Sequence, residues 1–255
     1  MPLNEEQKQQ VEEIAKDVFM KLNKTGSFTE RKIIDIPTDL YAVANKKYVD
    51  SLNIFPVYVV ANEKIYYTSY FESLDGWQKA TGASQVYTPQ LGGASIQTGT
   101  TINTQAAMNT EVSIGDIDWS KNSGFQSLLK FSATTDQTVY FGLGDLSIGD
   151  GTEEGYGFKI VNGTLSALAT QSNGVTATET LTNISTGVTL TNINVYKAIK
   201  DGNSIFYYVN GDLKTTITSG LPNGTSPIVL LYSIKNSAAA NKIIYLGHGS
   251  AYYEF

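Results

Sequence analysis

Residues 195–217 read VYKAIKDGNSIFYYVNGDLKTTI, and this stretch decides the fold. Asp201-Gly202-Asn203 and Asn210-Gly211-Asp212 supply the residues that accept φ > 0, which tight hairpin turns require. Three antiparallel strands joined by two turns follow. In the middle strand Ile205, Tyr207 and Val209 fall on one face, Phe206 and Tyr208 on the other. Both faces are apolar, so the expectation is cover on both: an interior strand of a packed β-domain.

Working outward, the same grammar repeats. Ile65 to Phe71, Glu111 to Ile114, Phe125 to Ala133 and Gln137 to Leu143 read as strands. Tyr156, Phe158 and Ile160 alternate with Gly157 and Lys159, and Asn162-Gly163 turns that strand into Thr164 to Thr170. Further strands near Ile193, Ser204, Asp212, Ile228, Ile243 and Ala251 close the series. The Thr-rich stretch from Thr170 to Thr191 predicts long loops or edge strands, and the Pro-broken Asn53 to Asn62 a connector or edge strand. Short strands at this spacing with Gly/Asn turns define a mainly β protein, an antiparallel jelly-roll β-sandwich over residues 63–255.

The N-terminal fifth differs. Residues 1–50 hold 8 Lys+Arg and 9 Asp+Glu, 17 of the chain's 42 charges. Asn4 is a candidate N-cap with Gln7 three residues on. Val11, Ile14, Val18 and Leu22 then recur at helical spacing, and Gly26 can end the helix in the left-handed position. This predicts an amphipathic α-helix over 1–26 for attachment or oligomerisation. The sequence offers it no second helix of similar length to pack on. Residues 27–62 form a neck whose short helix, capped by Thr38, carries Leu40, Val43 and Tyr48.

Two resemblances refine this reading. A strand, Asp-Gly-Asn, a strand ending Tyr207-Tyr208-Val209-Asn210-Gly211-Asp212 and a third strand resemble the meander of concanavalin A-like sandwiches, the lectin/glucanase and laminin-G-like group. Ala44-Asn45-Lys46-Lys47-Tyr48-Val49-Asp50 resembles a segment of bacteriophage tail-fibre and head-fibre proteins, between an attachment region and the distal body. There the segment lies near a trimer axis, which implies a trimer for this chain as well.

The chemistry classes are narrowed by what the chain lacks. It contains no Cys, which removes disulfides and thiolate metal sites. A net charge of −6 with one arginine, Arg31, removes the electrostatic footprint for nucleic acid. The longest apolar run, Ile54 to Ala61, is too short to span a bilayer. The acidic N-terminus reads as no targeting segment. A glycosidase needs two carboxylates at a set separation. The concanavalin A-like resemblance implies Glu-x-Asp-x-x-Glu or a close variant on one strand, and no such pattern occurs. Asp116/Asp118 and the adjacent Glu153-Glu154 read as loop or solvent-facing charges, so no catalytic residue is assigned. His248, the single histidine, lies between Gly247 and Gly249 and reads as part of a β-bulge. The oxygen-rich run around Asp145, Asp150, Glu153 and Glu154 lacks EF-hand spacing, and neither metal nor cofactor is expected. Trp77 is the candidate glycan contact, among aromatics that include Tyr66, Tyr67, Tyr70, Tyr87, Tyr252 and Tyr253.

These readings converge on a structural appendage of a tailed phage on the exterior of the virion, a head- or tail-fibre or decoration subunit. It is expected to be a homotrimer, bound to other virion proteins through its N-terminus and presenting the sandwich to host surface glycans. It is expected not to insert in a membrane, bind nucleic acid or act as an enzyme. A free lectin module is the first alternative, and a glycan-degrading enzyme the second.

Overall fold

The computed structural model describes residues 57–61, 64–69, 71, 74, 77–79, 86–90, 93–111, 116–146 and 153–254. The expected helix over 1–26 and the neck helix lie outside them. So do Val11, Ile14, Val18, Leu22, Leu40, Val43 and Tyr48.

The described residues form two large antiparallel sheets. Sheet A runs β1 (Val57–Ala61), β2 (Lys64–Ser69), β18 (Ile243–Glu254), β8 (Ser123–Phe131), β13 (Asn194–Asp201), β14 (Ser204–Val209) and β15 (Asp212–Ile217). β5 (Gly93–Gln97) also pairs with β18 and carries β4 (Val86–Gln90) on its other side. Sheet B runs β12 (Ala177–Asn183), β11 (Thr164–Ser172), β10 (Gly155–Val161), β9 (Gln137–Gly144), β17 (Ile228–Asn236), β6 (Gln105–Glu111) and β3 (Gln78–Lys79). A small ladder joins β7 (Ile117–Asp118) to β16 (Thr225–Ser226).

The core follows from the alternation in each strand. In β8, Phe125, Ser127, Leu129 and Phe131 are buried, while Gln126, Leu128 and Lys130 between them are half-buried on the other face. From sheet B, Val139, Phe141, Tyr156, Phe158, Tyr232 and Ile234 meet them. Phe141 stacks on Phe158 with centroids 5.2 Å apart, and Tyr196 and Tyr207 of sheet A meet Phe158 edge-on. Each such side chain contributes roughly 1.5–3 kcal/mol on burial. Three buried tyrosine hydroxyls tie the sheets together: Tyr232 lies 2.7 Å from Ser127 Oγ, Tyr156 lies 2.9 Å from Ser123 Oγ, and Tyr207 donates to Leu168 O at 2.6 Å. Paired this way, they escape most of the penalty for burying a polar group.

The 195–217 meander is present as read. Gly202, Asn210 and Gly211 have φ of 54°, 53° and 89°. Asn210 does more than turn the chain. Its Oδ1 accepts from Val195 N at 2.9 Å and its Nδ2 donates to Asn194 Oδ1 at 2.9 Å, fastening the start of β13 to the end of β14. One expectation is corrected. Ile205, Tyr207 and Val209 are core, but Phe206 and Tyr208 are half-buried on the outer face of sheet A, so only one face of β14 belongs to the interior. Those rings are shielded in part by neighbours within the sheet, Ile199 opposite Phe206 and Lys197 opposite Tyr208.

Other boundaries shift for physical reasons. The strands expected near Ile243 and Ala251 are one twelve-residue strand, β18, in which the register slips between Leu246 and His248. That bulge is where Gly247 was read as one. A strand runs over Gln105–Glu111 with Ala106 and Met108 facing inward, neither of them β-branched, and the rest of the strand expected at Glu111 to Ile114 lies outside the described residues. The Thr-rich stretch supplies β12, an edge strand of sheet B, and β1 is an edge strand of sheet A.

Candidate functional site

The two outer faces were built differently. On sheet B, Gly155 pairs with Gly144 and Gly157 with Gly142 across the β9–β10 ladder, which leaves a trough without side chains. Leu146, fully buried, fills it: its Cδ1 would lie 2.9 Å from a Cβ built on Gly142 or on Gly157. Leu168, Leu231 and Tyr140 complete this small outer cluster. Beside it Lys159 Nζ pairs with Glu179 and lies 5.0 Å from the Tyr140 ring centroid. Burial pulls the Lys159 pKa down, but its hydrogen bonds to Glu179 and Tyr140 outweigh that and leave it raised.

On sheet A the register sets outward side chains into rungs. One rung crosses four strands through Thr68, Ser250, Gln126 and Lys197. The next rung along the strands holds Tyr252, Gly124, Ile199 and Phe206. On the opposite side lie His248, Leu128 and Val195. The first two rungs border a groove of about 310 Å³ lined by Thr68, Gly124, Gln126, Lys197, Ile199, Ser250 and Tyr252. Four strands at about 4.8 Å spacing make the polar rung about 14 Å long.

Gly124 shapes this groove. A Cβ there would lie 2.5 Å from Cε1 and 3.0 Å from Cζ of Tyr252, so the ring rests across the bare backbone of β8. Lys197 Nζ lies 5.6 Å from the Tyr208 ring centroid, within range of a cation–π contact that holds the ammonium along the sheet. Among the described residues, no hydrogen bond engages the side chains of Thr68, Gln126, Ser250 or Lys197. Among the described residues, no carboxylate lines the groove. The arrangement offers two hydroxyls, an amide and an ammonium next to a tyrosine ring. His248, one rung away, has its pKa lowered by burial.

The residues singled out in the sequence are placed as follows. Trp77 is 5% exposed, packed against Tyr67, Phe71 and Tyr232. Its ring faces are core, which corrects its assignment as a glycan contact. Tyr67 and Tyr253 are core as well, and half-buried Tyr87 donates to Ala107 O at 3.0 Å. Of these, Tyr67 and Tyr252 border the groove, and Tyr252 is the one whose ring lies on the outer face. Glu153 and Glu154, expected to face solvent, are 1% and 7% exposed. The Glu154 carboxylate accepts from the backbone N–H groups of Ser172, Asn223 and Gly224 at 3.3, 3.2 and 2.5 Å, so it clamps the end of β11 to the loop before β16. Asp116 is exposed, and Asp118 accepts from Ser120 N at 2.8 Å, a contact that lowers its pKa. Among the described residues no strand carries two carboxylates, and no group of three metal-ligating side chains gathers. Gly124, Gln126, Lys197, Ser250 and Thr68 were not picked out from the sequence. Their alternation with core residues was visible, but not which strands lie side by side.

No family model and no curated protein sequence matches this chain. Solved structures do. A Shewanella oneidensis MR-1 protein of unknown function matches at TM-score 0.55 and 13% identity, covering 89% of this chain and 97% of its own. A β-1,3-1,4-glucanase (lichenase) from a mouse hindgut metagenome matches at TM-score 0.56 and 11% identity, covering 74% of this chain and 99% of its own. The binding domain of Paraclostridial Mosquitocidal Protein 1 matches at TM-score 0.50 and 11% identity, covering 78% of this chain and 48% of its own. The fold is therefore a concanavalin A-like sandwich, one shared by lectins, carbohydrate-binding domains and glucanases. At these identities the likeness is one of fold.

Proposed function

We propose that this chain is a non-catalytic, saccharide-binding subunit of a tailed-phage virion appendage, trimeric and attached through residues 1–52. The observation that carries the binding half is the sheet A groove. Hydroxyl and amide groups without internal partners beside the Tyr252 ring suit a sugar, whose C–H face packs on an aromatic while its hydroxyls pair with polar side chains. Two features favour binding over hydrolysis: no described strand carries two carboxylates, and the trough of sheet B is occupied by Leu146. The appendage half rests on the fibre-like Ala44 to Asp50 segment and the charge-rich stretch before the sandwich. Three weak sites on one stalk gain avidity without tight single-site binding.

Light scattering on the full chain and on a chain starting at Asn53 tests the appendage half. The expected result is a trimer that becomes a folded monomer on truncation. A full-length monomer would remove self-association. Glycan-array binding by both forms tests the other half, and turnover of any polysaccharide without bound product would overturn the non-catalytic reading.

A further inference from the structure

The groove carries a charge preference. Among the described residues, Lys197 is the one ionised side chain in its lining, and the whole chain has a net charge of −6. Its ammonium makes no ion pair among the described residues, where Lys159, Lys214 and Lys242 each do. Lys197 is flanked in register by Gln126 on β8 and Tyr208 on β14, so its immediate neighbours are neutral. Further along the same face a second cation is held in the same way, with Lys130 Nζ 5.1 Å from the Tyr245 ring centroid. Among the described residues, the strand carboxylates of this face, Asp201 and Glu254, lie at the opposite end, beyond Ile199 and Tyr252. Glu254 also accepts from Asn122 N at 3.3 Å.

We infer that the sheet A groove binds an acidic saccharide, a chain of uronic-acid residues, with Lys197 pairing the sugar carboxylate. Thr68, Gln126 and Ser250 take hydroxyls along the polar rung, and the Tyr252 ring lies against the sugar face. A neutral sugar would leave the ammonium unpaired in a half-enclosed groove. A carboxylate turns that group into a charge-assisted hydrogen bond, the stronger kind. A peptide carboxylate would meet the same lysine, but would leave the hydroxyl and amide groups along the rung with little to bind. This inference rests on the saccharide-binding reading above, and the test separates the two.

Isothermal titration calorimetry of the full chain would use two matched pairs: β-1,4-mannuronate hexasaccharide against mannohexaose, and β-1,4-glucuronate hexasaccharide against cellohexaose. Within each pair the linkage and ring configuration are the same and only C6 differs. The uronate member of at least one pair is expected to bind about tenfold tighter at low salt, with the advantage shrinking as salt is raised. Lys197→Gln should erase that advantage within the pair while keeping the thermal midpoint. Equal affinities within both pairs, or a preference that survives K197Q, would overturn the inference and leave saccharide binding standing. No binding by any of the four would overturn both.

Discussion

The outer faces of the two sheets pose the same problem, a sheet with one side packed and the other turned outward, and the chain solves it in opposite ways. Sheet B removes side chains at Gly142, Gly144, Gly155 and Gly157, then fills the trough with Leu146 from the loop that follows β9. The groove of sheet A leaves out one side chain, at Gly124, and lays across the gap the ring of Tyr252, a long side chain with its own torsional freedom. Backbone sealed by a buried leucine is a structural solution. A gap bordered by one aromatic ring and several unengaged polar groups leaves surface to which a ligand has access.

The sharpest way to break this contrast is the same substitution on both faces. At Gly157 a Cβ would lie 2.2 Å from Phe141 O, 2.8 Å from Gly142 Cα and 2.9 Å from Leu146 Cδ1. Two of those neighbours are backbone held by the β9–β10 ladder and cannot step aside. Gly157→Ala is expected to cost about 4 kcal/mol or more, read by urea unfolding. A loss below about 1 kcal/mol would mean that the trough is slack and Leu146 no seal.

Next in size is Glu154, whose carboxylate takes three backbone N–H groups, one from the end of β11 and two from the loop before β16. Glu154→Ala leaves those donors without their acceptor in a buried setting, and a loss of about 3 kcal/mol is expected. Glu154→Gln keeps one oxygen and should lose less. Equal losses in the two variants would show that packing, not the hydrogen bonds, sets the effect.

Alkaline pH tests the core that both faces share. Burial raises the pKa of Tyr156, Tyr196, Tyr207 and Tyr232 well above the ordinary value near 10. In the unfolded chain these hydroxyls ionise near pH 10, while the folded state keeps them protonated. The folded state then holds more protons, so stability is full below pH 10 and falls as pH rises above it. The slope is about 1.4 kcal/mol per pH unit for each tyrosine. Tyr232→Phe should flatten the slope by one such increment. A flat stability profile to pH 11.5 would contradict this account of the core.

How much of this was legible in the sequence depends on how local each feature is. The meander was, because Asn210-Gly211 and Gly202 encode turn geometry within four residues. The bulge at Gly247 and the edge character of the Thr-rich stretch were legible for the same reason. Cover on both faces of β14 was not: Phe206 and Tyr208 look like core in a one-dimensional pattern, and nothing local tells a wet aromatic face from a dry one. Trp77 failed in the opposite direction, its size suggesting a platform when the space between sheets had already claimed it. The groove was hardest. Thr68, Ser250, Gln126 and Lys197 come from four strands that are scattered along the chain and become one rung only through the sheet order.

The smallest expected effect bears most directly on the comparison. At Gly124 the nearest neighbours of an added Cβ are Cε1 and Cζ of Tyr252, and the closest backbone atom is Ala198 O at 3.2 Å. A ring at the end of a flexible side chain can swing away, so Gly124→Ala should cost only about 1 kcal/mol. Its price is paid in the groove, where the displaced ring no longer lies across β8. The side-chain NMR resonances of Tyr252 should move while those of Phe141 and Phe158 in the core stay put, and saccharide affinity should fall more than stability does. If G124A instead unfolded the protein as G157A does, the two faces would be alike in kind, and Gly124 would be a packing residue like the glycines of sheet B.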